Sequence, residues 1–269
     1  MKILIVLIFN LFFINGFMQT ENYYIIRVKG EIFNKTTGKS LQQGDAVKAT
    51  DKLIFKQKDA VALVISDSRG RFTLKFPEKK QEYDNALFVF VKTALVSNKQ
   101  NHLSTRSVGL LSAISDLDTY FGNKVFNIIG DSLQISLSKH YYPLTHTDDV
   151  IARYEYGGQF ESKKLSKKGQ TIILSRNDFG VKLQGDVLIK NVGLFKIDNL
   201  NKRKRQIGKL DLRFVDQKEL AKEFKLISDK FDRVNKEEIL NLLKGYFYDI
   251  YGKTDDILLR NFALKYVSD

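Results

Sequence analysis

The chain has 269 residues, no cysteine, no tryptophan, and 44 Lys and Arg against 31 Asp and Glu, a formal charge of +13. The lack of cysteine excludes disulfides, thiolate catalysis, cysteine-ligated metals and an acyl anchor on a cysteine, while 43% hydrophobic residues and interspersed charges exclude global disorder. The basic balance admits nucleic acid, anionic lipid or acidic glycan as partners; Lys is nevertheless spread along the chain among apolar residues, the pattern of solvated faces.

Met1-Lys2 precedes an apolar run, Ile3–Phe9, continued by Leu11–Ile14 and Phe17-Met18, broken at Asn10, Asn15 and Gly16, and polar from Gln19. One positive charge before a short apolar run is the signal-peptide pattern, and the run is short for a span of roughly 20 apolar residues. The expectation is an exported protein with residues 1–20 as signal peptide, at the periplasm or outer surface of a Gram-negative-type bacterium. A retained membrane anchor or a buried N-terminal helix are the alternatives.

Residues 22–96 read as a small all-β domain. Tyr23–Gly30 and Glu31–Phe33 are β-branched and aromatic. Turns follow at Asn34–Gly38 and Gly44-Asp45, where glycine supplies the backbone freedom of a tight reversal. Ala60–Ile65 and Phe72–Phe76 then form a strand pair folded over Ser66–Arg71, and Ala86–Val96 supplies a last strand. The order Val28-x-Gly30, Gly38-x-x-Leu41, Gly44-Asp45-x-Val47, Asp51-x-x-Ile54, Ala60-x-Ala62-x-Val64, then a turn and Phe72-x-Leu74 resembles the FecR-type β domain of bacterial periplasmic regulators and other envelope proteins. The resemblance covers roughly 50 residues and implies a compact envelope β module that contacts other proteins, with these positions as scaffold. Two departures stand out. The family's Asp-Gly turn is replaced by Ser66–Arg71, and no cytoplasmic anti-sigma segment precedes the hydrophobic run, so the signalling role does not carry over.

Residues 97–123 have linker composition, with a helical turn and a Gly stop at Asp116–Gly122. From 124 to 269 the pattern is that of a β-rich domain ending in two or three helices. Strands are expected at Leu133–Leu137, Ile151–Tyr156, Gln159–Leu165, Thr171–Leu174, Val187–Ile189, Val192–Ile197 and Ile207–Phe214, with Gly157-Gly158 as a two-residue hairpin turn. Leu220, Phe224, Ile227 and Phe231 share one helical face, as do Ile239, Leu243, Tyr246, Phe247 and Ile250. Asp216 and Asn235 are the expected caps of these helices, and Thr254 that of a third carrying Ile257, Leu258 and Phe262. One stripe each requires a packing partner, for which a sheet of the same domain is the natural choice; a stripe left for a partner protein is the alternative. The fold class is therefore α+β, mainly β.

No catalytic constellation emerges. His140 and His146 flank Tyr141-Tyr-Pro143, with Asp148 and Asp149 beyond, but this spacing, like that of His102, matches no zinc signature. No Gly-x-Ser-x-Gly elbow and no phosphate-cradling glycine loop is present, so no cofactor is indicated. A glycosidase-type carboxylate pair is a three-dimensional feature; Glu155 and Glu161, across the Gly-Gly hairpin, read equally as polar positions of a half-exposed sheet. Tyr246–Tyr248 and Tyr251 read as core aromatics rather than a carbohydrate platform. The densest charge cluster is Lys202, Arg203, Lys204 and Arg205, expected at a hairpin tip, where it either is solvated or holds an anionic glycan or lipid. Export argues against nucleic acid. The expectation is a non-enzymatic protein-interaction or scaffold component of a cell-envelope assembly, whose partners are other envelope proteins. A binding module for an anionic glycan or lipid is the alternative, and a hydrolase a remote one.

Overall fold

A computed structural model describes residues 21–66, 70–77, 88–97, 113–156, 158–180, 187–231 and 235–267. The chain is an α+β protein, mainly β, and divides into two compact units, Met1–Asn98 and Lys99–Asp269. The expected signal segment 1–20, most of the Ser66–Arg71 turn, Gly157 and His102 lie outside the described residues.

The first unit contains β1 (Asn22–Lys29), β2 (Ile32–Asn34), β3 (Lys39–Ser40), β4 (Ala46–Lys48), β5 (Lys52–Phe55), β6 (Val61–Ser66), β7 (Gly70–Lys75), β8 (Val89–Phe90), the helical turn α1 (Val91–Ala94) and β9 (Leu95–Ser97). Two antiparallel sheets, β4-β1-β6-β7-β9 and β3-β2-β5-β8, share one core of Tyr23, Ile25, Val47, Ala62, Val64 and Leu74 from the first and Ile32 and Leu53 from the second. Gly30 carries the chain from one sheet to the other at φ +75, and a Cβ there would stand 2.9 Å from the Ala60 Cβ, so the position excludes a side chain on two counts. Of the strand expected over Ala86–Val96, the described part from residue 88 onward is two short strands in different sheets, separated by α1. Its apolar run is continuous because Val91 and Ala94 of the turn are themselves core residues.

The second unit contains α2 (Leu117–Phe121), β10 (Val125–Ile129), β11 (Ser132–Ser136), β12 (Asp148–Tyr156), β13 (Gln159–Lys164), β14 (Ser166–Lys168), β15 (Thr171–Ser175), β16 (Val187–Asp198), β17 (Arg203–Val215), α3 (Gln217–Lys230), α4 (Lys236–Ile250), β18 (Lys253–Thr254) and α5 (Asp256–Ala263). Its main sheet runs β13-β12-β16-β17-β10-β18, and a smaller one runs β11-β15-β14. β10 lies parallel to β17 and β18; the other pairings of these two sheets are antiparallel. Residues 113–123 are not linker. Ile114 bridges Leu137, and Leu117 and Phe121 are buried in this unit's core, the Phe121 ring 5.1 Å from that of Phe126. The helical turn expected at Asp116–Gly122 is α2, capped by Asp116, which accepts from the Thr119 N–H at 3.0 Å, and ended at Gly122.

β16 joins two strands that the sequence separates at Lys190-Asn191. The register against β17 shifts between Ile189 and Val192, Asn191 takes φ 55, and its N–H donates to Asp211 Oδ1 at 2.8 Å. This bulge re-phases the alternation, so a polar pair interrupts the apolar pattern without ending the strand. β17 begins at Arg203, four residues earlier than the apolar alternation indicates.

The helical stripes are buried except at their ends, where Phe231 and Ile250 are half-buried. Phe224 of α3 meets Tyr246 of α4 and Phe262 of α5, 6.4 and 5.6 Å away, and Phe247 stacks on Tyr251 at 4.9 Å. Asp216 and Asn235 cap α3 and α4 as expected. α5 is capped by Asp255, which accepts from the Leu258 N–H at 2.8 Å, rather than by Thr254. Thr254 is buried in β18 and donates to the Asn127 carbonyl. The buried face of α5 is Leu259, Phe262 and Ala263, and Ile257 is exposed. Asn127 of β10 donates to the Tyr251 carbonyl at 2.7 Å and the Lys253 carbonyl at 3.0 Å, tying the turn after α4 to the sheet.

Candidate functional site

The candidate site is the free end of the β16–β17 hairpin. Asp198 pairs with Arg203, Ile197 with Lys204 and Lys196 with Arg205, leaving Asn199–Lys202 as the loop. Only Lys202 lies in the loop; Arg203, Lys204 and Arg205 are the first three residues of β17. Directly opposed residues of an antiparallel pair share a face, and faces alternate along a strand. Arg203 and Arg205 therefore lie on one face and Lys204 on the other. All four cations are exposed. Lys204 Nζ sits 4.3 Å from the centroid of the Phe195 ring on its own face. Among the described residues none of the four forms an ion pair, although Asp198 stands directly across the ladder from Arg203. β10 reaches β17 only from Asp211 onward, so the basic part of β17 is also a sheet edge, where Lys and Arg discourage strand-to-strand aggregation.

The loop is built, not loose. Asp198 Oδ1 accepts from the Leu200 N–H at 3.1 Å and the Asn201 N–H at 3.0 Å, and Asp198 Oδ2 accepts from the Asn201 amide at 2.8 Å. The Asn201 side-chain amide, with the backbone N–H groups, holds the Asp198 carboxyl below the usual carboxylate range. Asn199 braces the loop against the start of β12, donating to the Thr147 carbonyl at 2.6 Å and to Asp149 Oδ2 at 3.1 Å. At the apex stands Leu200, 75% exposed.

Neighbouring carboxylates are committed elsewhere. Asp149 pairs with Lys164 at 2.7 Å, and that bond, followed by the one from Asn199, lowers its pKa. Asp148 is buried. Burial alone would raise its pKa, but hydrogen bonds from the Thr145 N–H and hydroxyl, together with Lys196 at 3.1 Å, lower it. These depressed carboxylates contribute stability above their ordinary pKa, and that contribution is lost as pH falls through the folded value.

Lys202 occupies the left-handed region at φ 53. A non-glycine residue there costs about 1–2 kcal/mol, whereas glycine costs roughly 0.4–1 kcal/mol in unfolded-chain entropy. Lys202→Gly is therefore expected to raise stability by about 0.5 kcal/mol, read as an increased urea midpoint. A lowered midpoint would mean that the lysine side chain makes a stabilising contact.

The remaining sequence candidates do not converge. His140 packs edge-on against Tyr141, with centroids 4.8 Å apart, and the His146 carbonyl accepts from Lys167. Among the described residues no group of three or more His, Asp and Glu is placed to hold a metal ion. Glu155 opposes Phe160 and Glu161 opposes Tyr154, so the two carboxylates lie on opposite faces of the β12–β13 ladder and form no pair. Tyr246, Phe247 and Tyr251 are buried. Leu200 escapes the sequence reading because a lone leucine between asparagines carries no periodic signal. Its exposure depends on the Asp198 turn. No protein-family model matches the chain, and no curated protein shows significant similarity to it.

Proposed function

We propose that the protein is an exported, non-catalytic interaction component of a bacterial cell envelope. In this reading a FecR-like β unit is joined to an α+β unit that presents the basic hairpin to a partner bearing negative charge. The apolar run at Ile3–Phe9 and the spacing from Val28 to Leu74 support export and the envelope module. The observation that carries the contact is the difference in pairing at one end of the sheet. Lys164 and Lys196 are matched to Asp149 and Asp148, whereas Lys202, Arg203, Lys204 and Arg205 form no ion pair among the described residues.

Capture of envelope components from a bacterial membrane extract by the tagged protein tests this reading. Capture is expected to weaken as salt is raised and to be lost when Lys202, Arg203, Lys204 and Arg205 are replaced together by serine. Capture that survives both changes would place the contact elsewhere on the molecule.

A further inference from the structure

We propose that the hairpin docks end-on into an anionic lipid surface, with Leu200 entering the acyl boundary and Lys202, Arg203, Lys204 and Arg205 at headgroup level. This inference rests on the reading of the hairpin as a contact surface and names the chemistry of its partner. Three features of the hairpin favour a lipid surface over a soluble polyanion.

The first is the apex. Leu200 is 75% exposed, and the Asp198 turn hydrogen-bonds its own N–H, so the residue is held outward in front of the cations. A phosphate- or carboxylate-rich chain in water offers nothing to an outward leucine. Transfer of one such side chain from water into an apolar phase, by contrast, is worth on the order of ten- to a hundredfold in partitioning. The second is the distribution of charge. Arg203 and Arg205 occupy one face of the ribbon and Lys204 the other, following the register of Asp198, Ile197 and Lys196. A ribbon lying flat on a charged surface would use one face, whereas a ribbon entering by its tip is surrounded and uses both. The third is length. At roughly 3.4 Å per residue, the cations from Lys202 to Arg205 cover about 10 Å of ribbon behind the apex, comparable to the headgroup band of a bilayer leaflet. Asp149 and Asp148 are paired with Lys164 and Lys196, and the ionised Asp198, held by Asn201, stands across the ladder from Arg203, so this end presents four cations against one carboxylate not matched to a cation.

The chain contains no tryptophan, so Leu200→Trp in the full chain places a single tryptophan fluorophore at the apex. On vesicles of phosphatidylcholine with phosphatidylglycerol, its emission is expected to shift to the blue and to be quenched by brominated acyl chains. On pure phosphatidylcholine, or in the anionic vesicles at high salt, neither change is expected. Because the signal comes from position 200, binding through any other segment does not register. Each serine substitution among the four cations is expected to weaken vesicle partitioning by about fivefold. Leu200→Ser is expected to weaken it by on the order of tenfold while leaving binding to soluble polyphosphate unchanged.

If the Leu200→Trp emission stays that of an exposed indole on anionic vesicles, while serine replacement of the cations still abolishes binding to polyphosphate or to vesicles, insertion is overturned and the charged contact stands. If the serine replacement changes neither binding, the inference and the reading beneath it both fall.

Discussion

Phe224→Ala is expected to cost the second unit about 3–5 kcal/mol, the usual range for removing a fully buried phenyl group. Phe224 is the hub where the three C-terminal helices meet. It lies on α3 with no exposed surface, 5.6 Å from Phe262 of α5, 6.4 Å from Tyr246 of α4 and 5.9 Å from Tyr266. All three rings meet it edge-on or tilted, so no single neighbour can swing in and fill the space, and the cavity term adds to the lost transfer energy. The measurement is urea denaturation followed by far-UV helical ellipticity, with Phe224→Leu as a companion. Leucine retains part of the volume and is expected to lose about 1–2 kcal/mol. A loss below about 1 kcal/mol for Phe224→Ala would mean that the helices do not depend on this cluster.

The residues that make Phe224 a hub were legible in the sequence because a helix repeats its buried positions at spacings of three and four, and that spacing is local information. Legibility ends where a tertiary partner changes the phase. Thr254 and Asp255 are both competent caps. Thr254 is diverted because its hydroxyl reaches the Asn127 carbonyl on β10, 127 residues away in sequence. The Asn191 bulge likewise depends on Asp211 of the facing strand. At the candidate site the charge run Lys202–Arg205 is visible at once, whereas its division between two faces requires the register with β16. The outward presentation of Leu200 requires the Asp198 turn. Asp148 and Asp149 read as polar residues of a loop before a strand, and their commitments to Lys196 and Lys164 come from other strands.

Asp51→Ala is expected to cost the first unit about 2–4 kcal/mol, because it leaves two donors without an acceptor, each worth roughly 1–3 kcal/mol when poorly solvated. Asp51 is buried between β4 and β5. Its Oδ2 accepts from the Asn34 amide of β2 and from the Lys48 N–H of β4, both at 3.1 Å. Asn34, itself buried, uses its own oxygen to accept from the Thr36 and Thr37 N–H groups. One carboxylate therefore connects a strand from each sheet and, through Asn34, the turn that leads to β3. Asp51→Asn keeps an acceptor in place and is expected to cost less, about 1–2 kcal/mol. Asn34→Ala combined with Asp51→Ala is expected to cost less than the sum of the two by about 1 kcal/mol or more, since each alone orphans the other. Strictly additive losses would show that the two side chains act independently and that the sheets are joined by apolar packing alone. The position lies in the Asp51-x-x-Ile54 part of the pattern, where a turn aspartate is the ordinary expectation. Its burial shows how a polar residue between two short strands becomes a structural tie once the sheets close over it.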